Sequence, residues 1–141
     1  MSLRGFATLN FWADDIAAAV AWYTELLGVE PYFSRPGPDG RPVYVEFRLG
    51  DYQAELGLID RRYAPAGAKG DPGGAIMYWH VEDLAATVER LIALGATEYE
   101  PITPRGDSGF VTASVVDPFG NVLGVMYNPH YVDVRAETKA G

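Results

Sequence analysis

Two stretches of this chain, residues 8–33 and 76–100, follow one pattern. Each has an alternating apolar segment, then an acidic residue, then an alanine-rich amphipathic segment that leads to Leu-Gly. The pattern predicts a strand, a capped helix and a further strand in each half, because the side-chain periods of strands and helices differ. Two copies of such a unit in a short chain usually pack on each other, since neither copy buries its apolar face alone. We therefore expect two related modules with a ligand cleft between them.

Composition limits the functions that a chain of 141 residues can have. Nineteen Asp and Glu against 11 Lys and Arg give a net charge of -8 without any basic stripe, which argues against a nucleic-acid partner. Cysteine is absent, so disulfides, thiol catalysis and Cys-ligated zinc are excluded. The sequence has no apolar signal core at its start and no stretch of membrane-spanning length. We expect a cytoplasmic protein with no membrane partner.

Periodicity and turn residues predict a single domain of class α+β with the element order β-α-β-β-β repeated. Module 1 covers about residues 5–60 and module 2 about residues 75–128, joined by a Gly- and Pro-rich linker over 61–74. The polar tail, residues 129–141, is expected to be a mobile end or a dimer arm. Strands are predicted near 6–12, 30–34, 43–48, 53–59, 75–81, 97–102, 109–116 and 121–127, with helices near 16–27 and 83–94. The meander in each half predicts a curved sheet with the helices on one face.

Alternation along each predicted strand separates an apolar face from a mixed face. The apolar face, which includes Phe11, Val45 and Val115, is expected to pack on the helices. The mixed face is expected to line a cavity with aromatic walls and a few polar groups. Its candidate ligand-binding residues are Asn10, Trp12, Glu46, Arg48, Gln53, Glu55, Tyr78, His80, Thr112 and Ser114.

Two of these residues, Glu55 and His80, are the candidate catalytic groups. Glu55 lies between apolar neighbours, where a carboxylate is costly unless it is satisfied. It anchors a cationic or hydroxyl-bearing ligand, or acts as a general base with a raised pKa, or simply points to solvent or pairs with Arg48. His80 is either an acid/base partner or a histidine satisfied at the strand end, near Glu82 and Asp83.

Three sequence motifs occur at helix ends and in a turn. They are Asp15-Ile16 with the helix that ends at Leu26-Leu27-Gly28, the segment Val81-Glu82-Asp83-Leu84, and the turn Asp117-Pro118-Phe119-Gly120-Asn121. Together they resemble the vicinal oxygen chelate superfamily, which includes glyoxalases, extradiol dioxygenases and bleomycin-resistance proteins. The resemblance covers about residues 5–128. It implies two βαβββ modules that form a curved, U-shaped mixed sheet around a cavity, with the helices on the outer face, and commonly a homodimer.

Metal-using members of that superfamily place one ligand on the first strand of each module and one on the last. Carried over to this sequence, those positions fall on Thr8, Glu55, Ile76 and Gly124. Of these four, Glu55 alone suits a divalent ion, whereas a catalytic site needs about three protein ligands. A site built from Glu55, His80 and Glu46 is the metal-binding alternative. The working expectation is that the protein uses no metal and no other cofactor.

Three functions are compatible with these residues. The first is a metal-free small-molecule-binding protein of the bleomycin-resistance type, which sequesters a cationic or aromatic ligand in its cleft. The second is a glyoxalase-like lyase or isomerase in which Glu55, with His80, moves protons beside a carbonyl. The third is a metal-dependent dioxygenase. The net charge of -8 and the missing metal ligands favour the first.

Overall fold

The computed structural model describes residues 3–68 and 70–140. Met1, Ser2, Lys69 and Gly141 lie outside the described residues, and with them one position of the predicted linker and the end of the predicted tail. The chain divides into two compact units between Asp71 and Pro72, inside the predicted linker. Each unit contains one β-α-β-β-β module, so the predicted α+β class and the repeated element order are confirmed.

Unit 1 consists of β1 Thr8–Ala13, α1 Ile16–Leu27, β2 Phe33–Pro36, β3 Pro42–Leu49 and β4 Ala54–Asp60. Its four-stranded sheet has the order β1-β4-β3-β2. The first and last strands are parallel, while the other neighbours are antiparallel, so the sheet is mixed. Two short 3₁₀ helices, Arg61–Tyr63 and Ala66–Ala68, follow β4 within the predicted linker.

Unit 2 consists of β5 Tyr78–His80, α2 Leu84–Ala93, β6 Thr97–Pro104, β7 Val111–Val116, β8 Val122–Tyr127 and α3 Pro129–Ala140. Its sheet has the order β5-β8-β7-β6, which repeats the strand order of unit 1. The described residues of the predicted tail form helix α3, and its role as a mobile end or a dimer arm stays a prediction. Asn128 Oδ1 accepts a hydrogen bond from His130 N at 3.0 Å, and Pro129 fits the first helical turn, where its missing N–H costs nothing.

The helices of the two modules begin and end as the sequence predicts. Asp15 and Asp83 cap α1 and α2, since each carboxylate accepts a hydrogen bond at 3.0 Å from the amide three residues on. Gly28 ends α1 in the left-handed conformation, with φ 69, which glycine adopts without steric cost. Both helices pack on the apolar faces of their own sheets.

The predicted apolar faces form the buried core of each unit. In unit 1 the core contains Phe11, Ile16, Tyr23, Val45, Phe47, Leu56 and Leu58, and in unit 2 Leu84, Leu91, Ala113, Val115, Leu123 and Val125. The opposite face of each sheet does not pack on the helices α1 and α2. Within the described part of the chain, no helix combines the length and the apolar character that a membrane span requires.

Candidate functional site

Polar side chains converge on the face of the unit 1 sheet that lies away from the core. The strand register explains why: both Thr8 on β1 and Arg48 on β3 are direct neighbours of Glu55 on β4. Glu46 lies two residues before Arg48 on β3, and its backbone carbonyl accepts a hydrogen bond from Tyr32 N at 3.0 Å. We call Thr8, Tyr32, Tyr44, Glu46, Arg48 and Glu55 the tyrosine–carboxylate cluster.

Glu55 is held by three side chains that come from three different segments. Its Oε2 accepts a hydrogen bond from Thr8 Oγ1 at 2.9 Å, and its Oε1 accepts one from the Tyr32 hydroxyl at 2.8 Å. Arg48 Nη2 lies 3.3 Å from the same Oε1. The hydrogen bond from Tyr32, then that from Thr8, hold the pKa of Glu55 below its ordinary value, with a smaller effect from Arg48. The raised pKa that one alternative required is therefore wrong, whereas the pairing with Arg48 is present.

The two tyrosines of the cluster are hydrogen-bond donors to Glu46. The Tyr32 hydroxyl lies between Glu46 Oε2 and Glu55 Oε1, and the Tyr44 hydroxyl donates to Glu46 Oε1. The hydrogen bond to Glu46 is the main cause that raises the pKa of Tyr32. Burial, followed by the hydrogen bond to Glu46, raises the pKa of Tyr44. Both hydroxyls therefore keep their protons at neutral pH, and Tyr32 has only one proton to share between two carboxylates.

Arg48 contacts both an anion and an aromatic ring. Besides its approach to Glu55, its guanidinium carbon lies 4.6 Å from the centre of the Tyr32 ring, a distance typical of a cation–π contact. The Arg48 side chain is 51% exposed and that of Glu55 26% exposed, so the cluster opens to solvent. The formal charges of two carboxylates and one guanidinium leave the cluster with an excess of negative charge.

The other predicted residues of unit 1 lie beside the cluster or away from it. Asn10 is next to it: a Cβ placed at Gly57 would lie 2.2 Å from Asn10 Oδ1 and 2.9 Å from the Tyr44 ring. Trp12, two residues further along β1, is partly buried, and its carbonyl accepts a hydrogen bond from Arg61 at 3.3 Å. Gln53 lies in the turn before β4, not in the predicted strand, because it adopts a left-handed backbone with φ 53. Its side chain donates to Gly50 O at 3.3 Å.

His80 belongs to unit 2 and is packed under the start of α3. Its Nδ1 accepts a hydrogen bond from Asn128 N at 3.1 Å, and its ring stacks on Tyr131 with the centres 4.7 Å apart. The side chain is 7% exposed, and Nε2 lies 3.8 Å from Glu82 Oε1. Nδ1 is thus satisfied, whereas Nε2 is buried without a hydrogen-bond partner among the described residues, so neither alternative for His80 is decided.

The remaining candidates of unit 2 are largely covered. Thr112 and Ser114 are buried, and Thr112 Oγ1 accepts a hydrogen bond from Arg105 Nε at 3.1 Å. Tyr78 lies against Gly124, where an added Cβ would come within 2.6 Å of the ring. Of the six predicted binding residues of unit 1, the structure thus brings together Glu46, Arg48 and Glu55, with Asn10 at their side, whereas Trp12 and Gln53 lie outside this cluster. The other four, Tyr78, His80, Thr112 and Ser114, belong to unit 2.

Sequence reasoning missed the tyrosines of the cluster. Tyr44 had a usable signal, because it alternates with Glu46 and Arg48 on β3. Tyr32 had none, because it precedes β2 and reaches the carboxylates only through the pairing of β2 with β3. Thr8 was considered solely as a position for a metal ligand, although it donates to Glu55.

The residues at the implied metal-ligand positions do not fit a metal ion. Thr8 donates its hydroxyl proton to Glu55, and neither Ile76 nor Gly124 has a donor atom in its side chain. In the strand register Asn10 pairs with Gly57 and Tyr78 with Gly124, so Gly57 is the counterpart of Gly124, and Val122 is the counterpart of Glu55. Neither Gly57 nor Val122 has a side chain that binds a metal. Across residues 3–68 and 70–140, no group of three or more His, Asp or Glu side chains is placed to hold a metal ion.

The comparisons with known proteins identify the family. The profile of the Glyoxalase/Bleomycin resistance protein/Dioxygenase superfamily matches residues 5–125, and the chain therefore belongs to this superfamily. No curated protein sequence matches the chain.

Solved structures support the same assignment. A glyoxalase-related enzyme from Fulvimarina pelagi aligns with a TM-score of 0.69 at 21% identity, covering 90% of both chains. A lactoylglutathione lyase from Agrobacterium tumefaciens aligns with a TM-score of 0.63 at 25% identity, covering 91% of this chain and 96% of the other. TioX from Micromonospora sp. ML1 aligns with a TM-score of 0.62 at 17% identity, covering 87% of this chain and 98% of the other. These likenesses establish the fold.

Proposed function

We propose that this protein binds a small cationic molecule at the tyrosine–carboxylate cluster of unit 1. The observation that carries the proposal is the geometry of Glu55: Thr8 and Tyr32 hold its carboxylate by hydrogen bonds at 2.9 and 2.8 Å, while its side chain is still 26% exposed to solvent. An ionised carboxylate beside an open surface is a binding partner for a cation. The net charge of -8 attracts such ligands from a distance.

The aromatic part of the cluster suits the same ligand chemistry. The Tyr32 ring contacts the Arg48 guanidinium at 4.6 Å, which shows that this ring suits a cation. The hydroxyls of Tyr32 and Tyr44 fix the orientation of Glu46 by hydrogen bonding to it. Carboxylates that neighbouring groups hold in place bind a cation with less loss of side-chain freedom on association.

A lyase is the second candidate, because the likeness to the Agrobacterium lactoylglutathione lyase reaches 25% identity. The chemistry of this chain is less suited to it. A general base works best with a pKa near the operating pH, whereas the pKa of Glu55 is lowered. His80, the proposed acid/base partner, uses Nδ1 to accept a hydrogen bond from Asn128 N.

Isothermal titration calorimetry with a matched ligand pair tests the proposal. Butylguanidinium carries the charge, and butylurea has a closely similar shape without it. We expect butylguanidinium to bind and butylurea not to bind, and Glu55→Gln to weaken the binding about tenfold or more, since charge-assisted hydrogen bonds are lost. The control variant Glu98→Gln removes an exposed carboxylate of β6 and should change the affinity less than about twofold.

Two results would contradict the proposal. One is equal binding of butylurea and butylguanidinium, which would show that charge is not recognised. The other is turnover of a hemithioacetal that is lost in Glu55→Gln but kept in Glu98→Gln, which would favour the lyase.

Sequestration of a basic antibiotic, a homodimer and a cytoplasmic location are further parts of this proposal. A thermal-shift screen with basic antibiotics tests the first. Native mass spectrometry tests the second, and it also reports any small molecule that co-purifies with the protein. A monomer with no response to any basic antibiotic would restrict the proposal to cation binding alone.

A further inference from the structure

We propose that Arg48 is a built-in competitor at the cation site: its guanidinium occupies the position of the ligand's cation, and the ligand binds by displacing it. This inference rests on the proposed cation-binding function. It adds that the preferred ligand group is a flat cation of the guanidinium type, and it identifies the residue that sets the affinity.

The contacts of Arg48 are those that a bound organic cation makes in proteins. Its Nη2 lies 3.3 Å from Glu55 Oε1, and its guanidinium carbon lies 4.6 Å from the centre of the Tyr32 ring. A carboxylate at the edge and an aromatic face below together recognise a planar cation. The same two groups cannot serve Arg48 and a ligand at once.

The contacts of Arg48 are also weak enough for its side chain to move out of the site. Its side chain is 51% exposed, and an ion pair at such a surface contributes little stability because water screens it and the side chain loses freedom. Glu55 also accepts hydrogen bonds from Thr8 and Tyr32, which do not involve Arg48. We therefore expect the carboxylate to stay in place when Arg48 rotates into solvent.

A second arginine of unit 1 supplies a matched control. Arg62 Nη2 lies 3.0 Å from Asp60, and the Arg62 guanidinium carbon lies 5.4 Å from the centre of the Tyr63 ring. Its side chain is exposed to the same degree as that of Arg48. Asp60, however, also caps the following 3₁₀ helix by accepting from Arg62 N at 3.0 Å, so this pair is a local capping contact.

The expected effect follows from competition. When a ligand binds only to the empty site, its apparent association constant is the constant for the empty site multiplied by the fraction of molecules in which the site is empty. Removal of Arg48 should therefore tighten the binding of butylguanidinium about tenfold, given the modest strength of exposed ion pairs and cation–π contacts. Removal of Arg62 changes the net charge of the protein equally but leaves the site unchanged.

Calorimetric titrations of butylguanidinium into the full chain, Arg48→Met and Arg62→Met test the inference. We expect about tenfold tighter binding for Arg48→Met and less than about twofold change for Arg62→Met. Adding Glu55→Gln to Arg48→Met should abolish the gain. NMR of the arginine Nε groups of the unmodified protein gives an independent reading: the Arg48 signal should shift with butylguanidinium but not with butylurea, and the Arg62 signal should not shift.

The outcomes separate this inference from the proposed function. If the unmodified protein binds butylguanidinium but Arg48→Met binds no more tightly than Arg62→Met, Arg48 is not a competitor and cation binding stands. An Arg48 signal that does not respond at saturating butylguanidinium leads to the same conclusion. If neither the unmodified protein nor Arg48→Met binds, both proposals are wrong.

Discussion

In unit 1 Asn10 pairs with Gly57, and Glu46 flanks that glycine on the next strand; in unit 2 Tyr78 pairs with Gly124, and Ser114 takes the place of Glu46. The matched positions are Thr8 and Ile76, Asn10 and Tyr78, Tyr44 and Thr112, Glu46 and Ser114, Arg48 and Val116, Glu55 and Val122, and Gly57 and Gly124. Every ionisable carboxylate or guanidinium among the unit 1 positions corresponds to an apolar or hydroxyl side chain in unit 2. The shared β-α-β-β-β fold depends on the apolar face of each sheet and on the turns. The residues of the opposite face can therefore differ between the two units.

The turns before the last strand of each module differ in burial and in side-chain hydrogen bonding, so we expect them to contribute unequally to stability. Asp117 of unit 2 is 3% exposed, and its Oδ1 accepts from Phe119 N at 2.9 Å and Asn121 N at 2.8 Å. Asp117→Ala should lower the free energy of unfolding by about 2–4 kcal/mol, because buried amides lose their acceptor. Gln53→Ala in the exposed turn of unit 1 should cost less than about 1 kcal/mol, since one weak bond is lost. Urea denaturation measures both, and equal costs would contradict the comparison.

The two matched glycines should tolerate alanine differently. At Gly124 the added methyl group would meet Tyr78 Cδ1 at 2.6 Å and Ile76 Cγ2 at 2.8 Å, whereas at Gly57 it would meet the end of the exposed Asn10 side chain and the Tyr44 ring at 2.9 Å. We expect Gly124→Ala to cost about 2–3 kcal/mol, because both of its neighbours are packed, and Gly57→Ala about 1–2 kcal/mol, because Asn10 moves aside and the Tyr44 ring is approached less closely than the Tyr78 ring. Thermal or urea unfolding of the two variants decides this, and the reverse order would show that Tyr44 is the more rigid neighbour.

The two tyrosines of the cluster, Tyr32 and Tyr44, should lose their protons at higher pH than ordinary tyrosine. The raised pKa values of Tyr32 and Tyr44 mean that the folded protein holds these protons above pH 10.0, the ordinary value. Their contribution to stability is therefore complete below that pH and is lost as the pH rises through the folded-state values. A pH titration followed by absorbance at 295 nm should show a phase at high pH. In Glu46→Gln the midpoint of this phase should move toward the pKa of ordinary tyrosine. The matched variant Ser114→Ala should leave the phase in place, and an unchanged phase in Glu46→Gln would refute the assigned cause.

Sequence patterns predicted the frame well because its rules are local. Alternation identified the buried faces, and Asp15, Asp83 and Gly28 marked the helix ends through capping chemistry. The helix in the polar tail was missed, although the Asn128-Pro129 pair is a typical helix start. The predicted strand wrongly included Gln53. A left-handed backbone is rare for a residue other than glycine, so nothing in the sequence indicated one there.

The site was less predictable because it depends on distances across strands. Alternation placed Glu46, Arg48 and Glu55 on one face, but it could not show that Tyr32 reaches both carboxylates. The direction of the Glu55 pKa depends on that contact and on Thr8. The apolar neighbours of Glu55 in the sequence therefore suggested a general base with a raised pKa as one alternative. Hydrogen-bond donors from other segments lower the pKa of this carboxylate instead.

The central claim is that unit 1, through its tyrosine–carboxylate cluster, binds cations while the matching face of unit 2 does not. Mapping of backbone amide NMR shifts during a butylguanidinium titration tests it most directly. We expect saturable shifts at Thr8, Glu46 and Glu55, with none at their counterparts Ile76, Ser114 and Val122. Shifts confined to the unit 2 positions, or equal shifts with butylurea, would contradict it.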